Sequence, residues 1–197
     1  MKSLWLFALS ATLLSACAST TNLNQADGVA PQLVEKPASD SLTITINGLN
    51  LSEDMSKTLS TKNDELLIFI YENKENGTLD APLLHQTMLL DLEHRKKYFT
   101  WKKDSSLKGK DLLFIMLEQD YDTPVEQLDP IIRVQYQQIM AAFKKRDYRA
   151  LRTYLGTEDF LGYKRLTNFS TDEPYRFTIT GVYKLDLYEY EITIGDE

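Results

Sequence analysis

From Ser41 to Ile194 the apolar residues either alternate with polar ones or run on without a break, and this restricts most of the chain to strands with one or two buried faces. Ser41 to Asn47 alternates, with Leu42, Ile44 and Ile46 on one side and Thr43, Thr45 and Asn47 on the other, which predicts a half-buried strand. Leu66 to Tyr71 and Leu112 to Leu117 have no polar interruption, so each predicts a central strand covered on both faces. Further strands are predicted at His85 to Leu92 and Tyr98 to Trp101, and the Asn76-Gly77 pair signals a turn. After Pro174 the alternation resumes through Tyr175, Phe177, Ile179, Tyr183, Leu185 and Leu187, then slips by one residue to Tyr188, Tyr190, Ile192 and Ile194. Such a slip within one long strand predicts a β-bulge near Leu187 and Tyr188.

Only late in the chain does the period lengthen. Asp129-Pro130 reads as a helix start, aspartate capping and proline at the first helical position, with Ile132, Tyr136, Ile139, Ala142 and Phe143 on one side of a helix reaching about Lys145. A second helix is predicted from Asp147 to Leu155, stopped by Gly156, and a third short turn from Glu158 to Tyr163. The sum is a mainly β chain: an antiparallel β-sandwich of about seven strands with a helical insertion at 129–163, since the strand-helix-strand alternation of a parallel sheet is absent.

The beginning of the chain has another character. Lys2 precedes the apolar stretch Leu4 to Leu14, which ends in Ser15, Ala16 and Cys17. A spanning helix needs roughly 20 apolar residues, so this run reads as a secretion signal at 1–16 rather than a membrane segment. Leu14-Ser15-Ala16-Cys17 resembles the lipobox of bacterial lipoproteins, and Cys17 is the only cysteine of the chain. The resemblance implies cleavage between Ala16 and Cys17 and acylation of the Cys17 thiol. By the sorting habit of that class, Ala18 implies transfer to the outer membrane, with the domain facing the periplasm or the cell surface. Residues 17–40, rich in Ser, Thr, Asn and Ala with Pro31 and Pro37, are expected to form a tether, with a short docked strand at Gln32 to Glu35 as the alternative.

Residues 41–197 suffice for a single domain. With 29 acidic against 22 basic residues the chain does not suit a general nucleic-acid binder. Its one cysteine leaves the domain no disulfide, so packing must supply the stability.

Signals of catalysis are few. His85 and His94 are the only histidines and lack metal-ligand spacing. No nucleophile elbow, phosphate loop or cofactor motif is present. Asp54, Asp64, Asp120 and Asp122 occupy loops beside strands, a layout similar to the calcium loops of C2-type domains, and calcium is the one ligand they suggest. Charge is segregated. His94 to Lys110 is basic, Asp111 to Pro130 acidic, and Lys144 to Arg152 basic again, which favours oriented docking on a charged partner or on anionic headgroups. The eleven tyrosines supply amphipathic contact area for packing or for an interface.

In plan, a lipidated cysteine followed by a linker and a small β-sandwich with a helical insertion is similar to the lipoproteins of type VI secretion systems. The expectation is therefore a non-enzymatic module, anchored through Cys17, that binds another envelope protein. The alternatives are a C2-like domain binding calcium or lipid headgroups, and a hydrolase with an unrecognised site.

Overall fold

A computed structural model of the chain describes residues 40–51, 63–91, 93–102, 104–119, 123–156, 158–183 and 186–195. Eight strands are present among them: β1 (Ser41–Asn50), β2 (Asn63–Glu72), β3 (Leu84–Asp91), β4 (Lys96–Lys102), β5 (Leu112–Glu118), β6 (Asp159–Leu166), β7 (Tyr175–Tyr183) and β8 (Asp186–Ile194). The helices α1 (Val125–Lys145) and α2 (Tyr148–Leu155) lie between β5 and β6. The strands form two antiparallel four-stranded sheets, in the orders β4-β1-β8-β7 and β3-β2-β5-β6. The mainly β sandwich with a helical insertion is thus the fold of the protein.

Two apolar clusters hold it together, and β2 and β5 contribute to both. Leu66, Ile68, Ile70, Leu112, Phe114 and Met116 point into the space between the sheets, against Leu42, Ile44 and Ile46 of β1 and Tyr188, Tyr190, Ile192 and Ile194 of β8. The intervening residues Leu67, Phe69, Tyr71, Leu113, Ile115 and Leu117 point the other way, where Leu128, Ile132, Tyr136 and Ile139 of α1 and Leu151 and Leu155 of α2 cover them. This explains the uninterrupted apolar runs: side chains alternate across a strand, so a strand lying between a sheet and a helical layer must be apolar at every position. Each fully buried side chain of this kind contributes about 1.5–3 kcal/mol.

The helical layer is joined to the sheet by polar contacts as well. The Tyr71 hydroxyl donates to Asp129 Oδ1 at 3.2 Å, and Arg133 Nε lies 3.1 Å from both oxygens of the same carboxylate. This geometry corrects the expected helix start. α1 begins at Val125, with Pro124 as its N-cap and Pro130 inside the helix. Leu128 is buried and extends the apolar face of Ile132 and Tyr136 one turn back, which outweighs the backbone hydrogen bond that proline cannot make. Asp129 is therefore an anchor for Tyr71 and Arg133 rather than a cap.

Two more expectations are corrected. The turn expected at Glu158 to Tyr163 is mostly strand, β6, so the insertion closes at α2 instead of reaching 163. In the β5–β6 ladder Met116 pairs with Gly162 and Leu117 with Phe160, leaving Leu161 as an extra residue. That bulge buries Phe160, Leu161 and Gly162 in succession and erases the alternation that identifies a strand. A Cβ on Gly162 would stand 2.7 Å from Ile179 Cγ2, so close packing of β6 on β7 requires glycine there. The bulge expected near Leu187 and Tyr188 is absent. β7 and β8 pair in unbroken register from Tyr175↔Ile194 to Tyr183↔Asp186, so the chain reverses between Tyr183 and Asp186, and the phase slip marks a hairpin. The Asn76-Gly77 turn is present, with the Gly77 N–H donating to Lys74 O at 2.8 Å and Asn73 bridged to Leu79.

Candidate docking cleft

Where the junction of α1 and α2 meets the β7–β8 hairpin, Phe143, Lys144, Arg146, Tyr148 and Tyr163 face Thr180, Val182 and Leu187 across a cleft of about 380 Å³. The helix junction owes its shape to two local devices. Arg146 takes a left-handed conformation, with φ of 56°, and its N–H closes on Ala142 and Phe143, ending α1. Asp147 then starts α2 by accepting from the Ala150 N–H at 3.0 Å. Its carboxylate is thereby occupied in a stretch that otherwise presents exposed Lys144, Lys145, Arg146, Arg149 and Arg152.

The opposite wall is mostly apolar and is tied to the helix junction. Val182 and Leu187 are cross-strand partners, and Leu187 is 58% exposed. Tyr148, also exposed, donates its hydroxyl to the Val182 carbonyl at 3.2 Å, tying the helix junction to the hairpin. Behind them Tyr188 is buried, and its hydroxyl donates to Leu161 O at 2.6 Å, inside the β6 bulge. The ring lies across Gly181, its cross-strand neighbour, where a Cβ would collide with the Tyr188 hydroxyl oxygen. Glycine at 181 therefore sets the position of Tyr188 and, through it, the floor of the cleft.

Burial holds the Tyr188 hydroxyl proton well above the ordinary tyrosine range, and the nearby Tyr148 and Asp159 add to the effect. Tyr71 shifts the same way, through burial first and then the charge of Asp129. For both, the folded-state pKa exceeds the unfolded value. Their contribution to stability is thus fully present below the unfolded tyrosine pKa of about 10 and is lost as pH rises above it. Above that point each such tyrosine costs about 1.4 kcal/mol of folding stability per pH unit. Urea denaturation midpoints are expected to fall from pH 10 upward, and Tyr71→Phe combined with Tyr188→Phe should flatten the fall. Parallel decline of wild type and double variant would show that these two groups do not carry it.

The residues singled out in the sequence separate into distinct places. His85 lies exposed on β3, opposite Phe69, and His94 lies exposed with its Nδ1 3.1 Å from Asp91 Oδ1. Of the carboxylates considered for calcium, Asp54, Asp120 and Asp122 fall outside the described residues, as do Ala16, Cys17 and the tether, including the docked strand expected at 32–35. Asp64 is paired with Leu90 near the start of β2, at the end of its sheet where Leu66 pairs with Glu118. Among the described residues, no group of three or more His, Cys, Asp or Glu side chains is arranged to hold a metal ion. The carboxylate of Glu158, which is buried at this end, accepts a hydrogen bond from the Thr123 hydroxyl.

Of the basic runs, 94–110 is partly paired with carboxylates. Lys108 pairs with Asp172 and Lys110 with Glu72, each at 2.8 Å. While Lys102 of this run lines a second cleft with Trp101 and Leu107, the run 144–152 lines the cleft beside the β7–β8 hairpin. Its apolar partners Val182 and Leu187 and the aromatic Tyr163 escaped the sequence reading, because only the folded topology brings them beside it. No protein-family model matches the chain, and no curated protein matches it. Among the described residues no helix is long and apolar enough to cross a membrane.

Proposed function

We propose that the protein is an outer-membrane lipoprotein whose β-sandwich acts as a non-enzymatic docking module for another envelope protein. The observation that carries this reading is the cleft at the helix junction, where exposed Val182, Leu187 and Tyr148 adjoin Lys144 and Arg146. Apolar and aromatic side chains left in solvent beside cations that form no ion pair among the described residues are the composition of a protein-binding patch rather than of a solvated corner.

The leader supports the location. Acylation at Cys17, implied by the lipobox, would fix the chain to the outer membrane with the domain in the periplasm. The similarity in plan to type VI secretion lipoproteins makes a secretion or surface assembly the setting that fits best. Cross-linking of intact cells with a lysine-reactive reagent, followed by mass spectrometry, tests the reading. Links from Lys144, Lys145 or Lys164 to one recurrent envelope protein are expected. Finding only links within the chain would refute a docking role for this corner.

A further inference from the structure

We infer that the free edge of β7 beside this cleft accepts an extended acidic segment of the partner as an added strand, an inference that rests on the docking reading of the same site. β7 is the outer strand of its sheet. The Tyr148 hydroxyl reaches the Val182 carbonyl from the cleft, so that carbonyl points away from β8. In an antiparallel strand the N–H and C=O of one residue point to the same side and the direction alternates. The backbone groups of Thr178 and Thr180 therefore point outward too, in the arrangement an incoming strand needs, next to the Val182 carbonyl that Tyr148 already holds.

The sheet edges are unequally guarded against such pairing. β4 carries Lys96, Lys97 and Lys102, and β6 is broken by the bulge at Leu161. Lysines and bulges are the usual protections of an edge strand. β7 has neither a lysine nor a proline, its single charged side chain is Arg176 near its start, away from the cleft, and its register with β8 is continuous over all nine residues. β3 is also unguarded and serves as the internal comparison.

Charge and shape select the occupant. Lys144 and Arg146 line the cleft, and Asp147 is engaged in capping α2, so the corner calls for carboxylates. An aliphatic side chain on the added strand would extend the exposed pair Val182 and Leu187. A lipid surface fits less well, because the cleft is concave. Along the strands it also lies about 30 Å from Ser41, where the segment leading back to Cys17 joins the domain.

The test uses the full lipidated chain in nanodiscs of neutral phosphatidylcholine, with hydrogen exchange followed by mass spectrometry. The probe is a hexapeptide alternating glutamate and leucine. Exchange across Thr178–Val182 should slow by about tenfold or more, since amides that join a ladder are protected. The protection should vanish with the combined variant Lys144→Glu and Arg146→Glu and persist with Lys144→Arg. Both positions are exposed, and unchanged exchange in β2 and β5 will show that the variants fold. The inference is overturned by protection on β3 instead, by equal protection with a lysine-leucine peptide, or by no protection at all. It is likewise overturned if phosphatidylglycerol nanodiscs alone protect β7, which would make lipid the occupant. None of these results touches the cellular cross-links, so failure of the strand-addition mode remains separable from failure of the docking role.

Discussion

Phe114→Ala is expected to destabilise the domain by about 3–5 kcal/mol, the cost of a large cavity at a site that cannot collapse. Phe114 is fully buried at the middle of β5 and crosses the gap between the sheets to meet Phe177 of β7 edge-on, with ring centres 5.3 Å apart and planes at 76°. Removing the ring withdraws its apolar area and its aromatic pairing at once. Backbone on either side is fixed by ladders to β2 and β6, so neighbours have little freedom to move in. For a chain of this size the loss corresponds to a melting temperature roughly 6–20 °C lower. Val134→Ala, at a helical position that is 77% exposed, should leave stability almost unchanged and controls for substitution as such. A loss below about 1 kcal/mol at Phe114 in urea denaturation would mean that the two sheets are not coupled through this contact.

The contrast between those two residues also shows which parts of the fold the sequence discloses. Residues 66–71 and 112–117 could be read as doubly covered strands because burial on two faces leaves a run with no polar positions. What covers the second face was not written there, since the helical layer arrives from residues 125–155. β6 escaped because a bulge consumes the very periodicity by which a strand is recognised. The reversal between Tyr183 and Asp186 escaped for a different reason. Lys184-Leu185 offers none of the glycine or asparagine signals of a tight turn, so an uninterrupted strand with a phase slip was the simpler reading. At α1 a local rule, proline at the first helical position, lost to the burial of Leu128 one turn earlier.

The docking cleft was half legible on the same grounds. A run of cations at 144–152 is a local fact of composition and survives intact in the fold. The apolar wall is not local. Val182 and Leu187 read as ordinary strand positions, and their exposure follows from lying at the hairpin end of β7 and β8. Gly181 gave no signal either, because its role depends on a ring seven residues away that lies across it only once the hairpin forms.

Replacing Cys17 with serine is expected to give the largest change in behaviour: the protein should disappear from the outer-membrane fraction. A serine hydroxyl does not take the thioether-linked diacylglyceryl group that the lipobox implies. Each buried methylene of an acyl chain contributes about 0.8 kcal/mol, and a single chain holds a protein only marginally, so two or three chains make attachment effectively permanent. Nothing among the described helices offers a substitute for that anchor. Intact-mass measurement separates the outcomes. Wild type should begin at Cys17 and carry the added mass of its acyl groups, while the serine variant should lack them. An unmodified thiol in the wild type, or a serine variant that still fractionates with the outer membrane, would remove the anchor and the periplasmic location that depends on it.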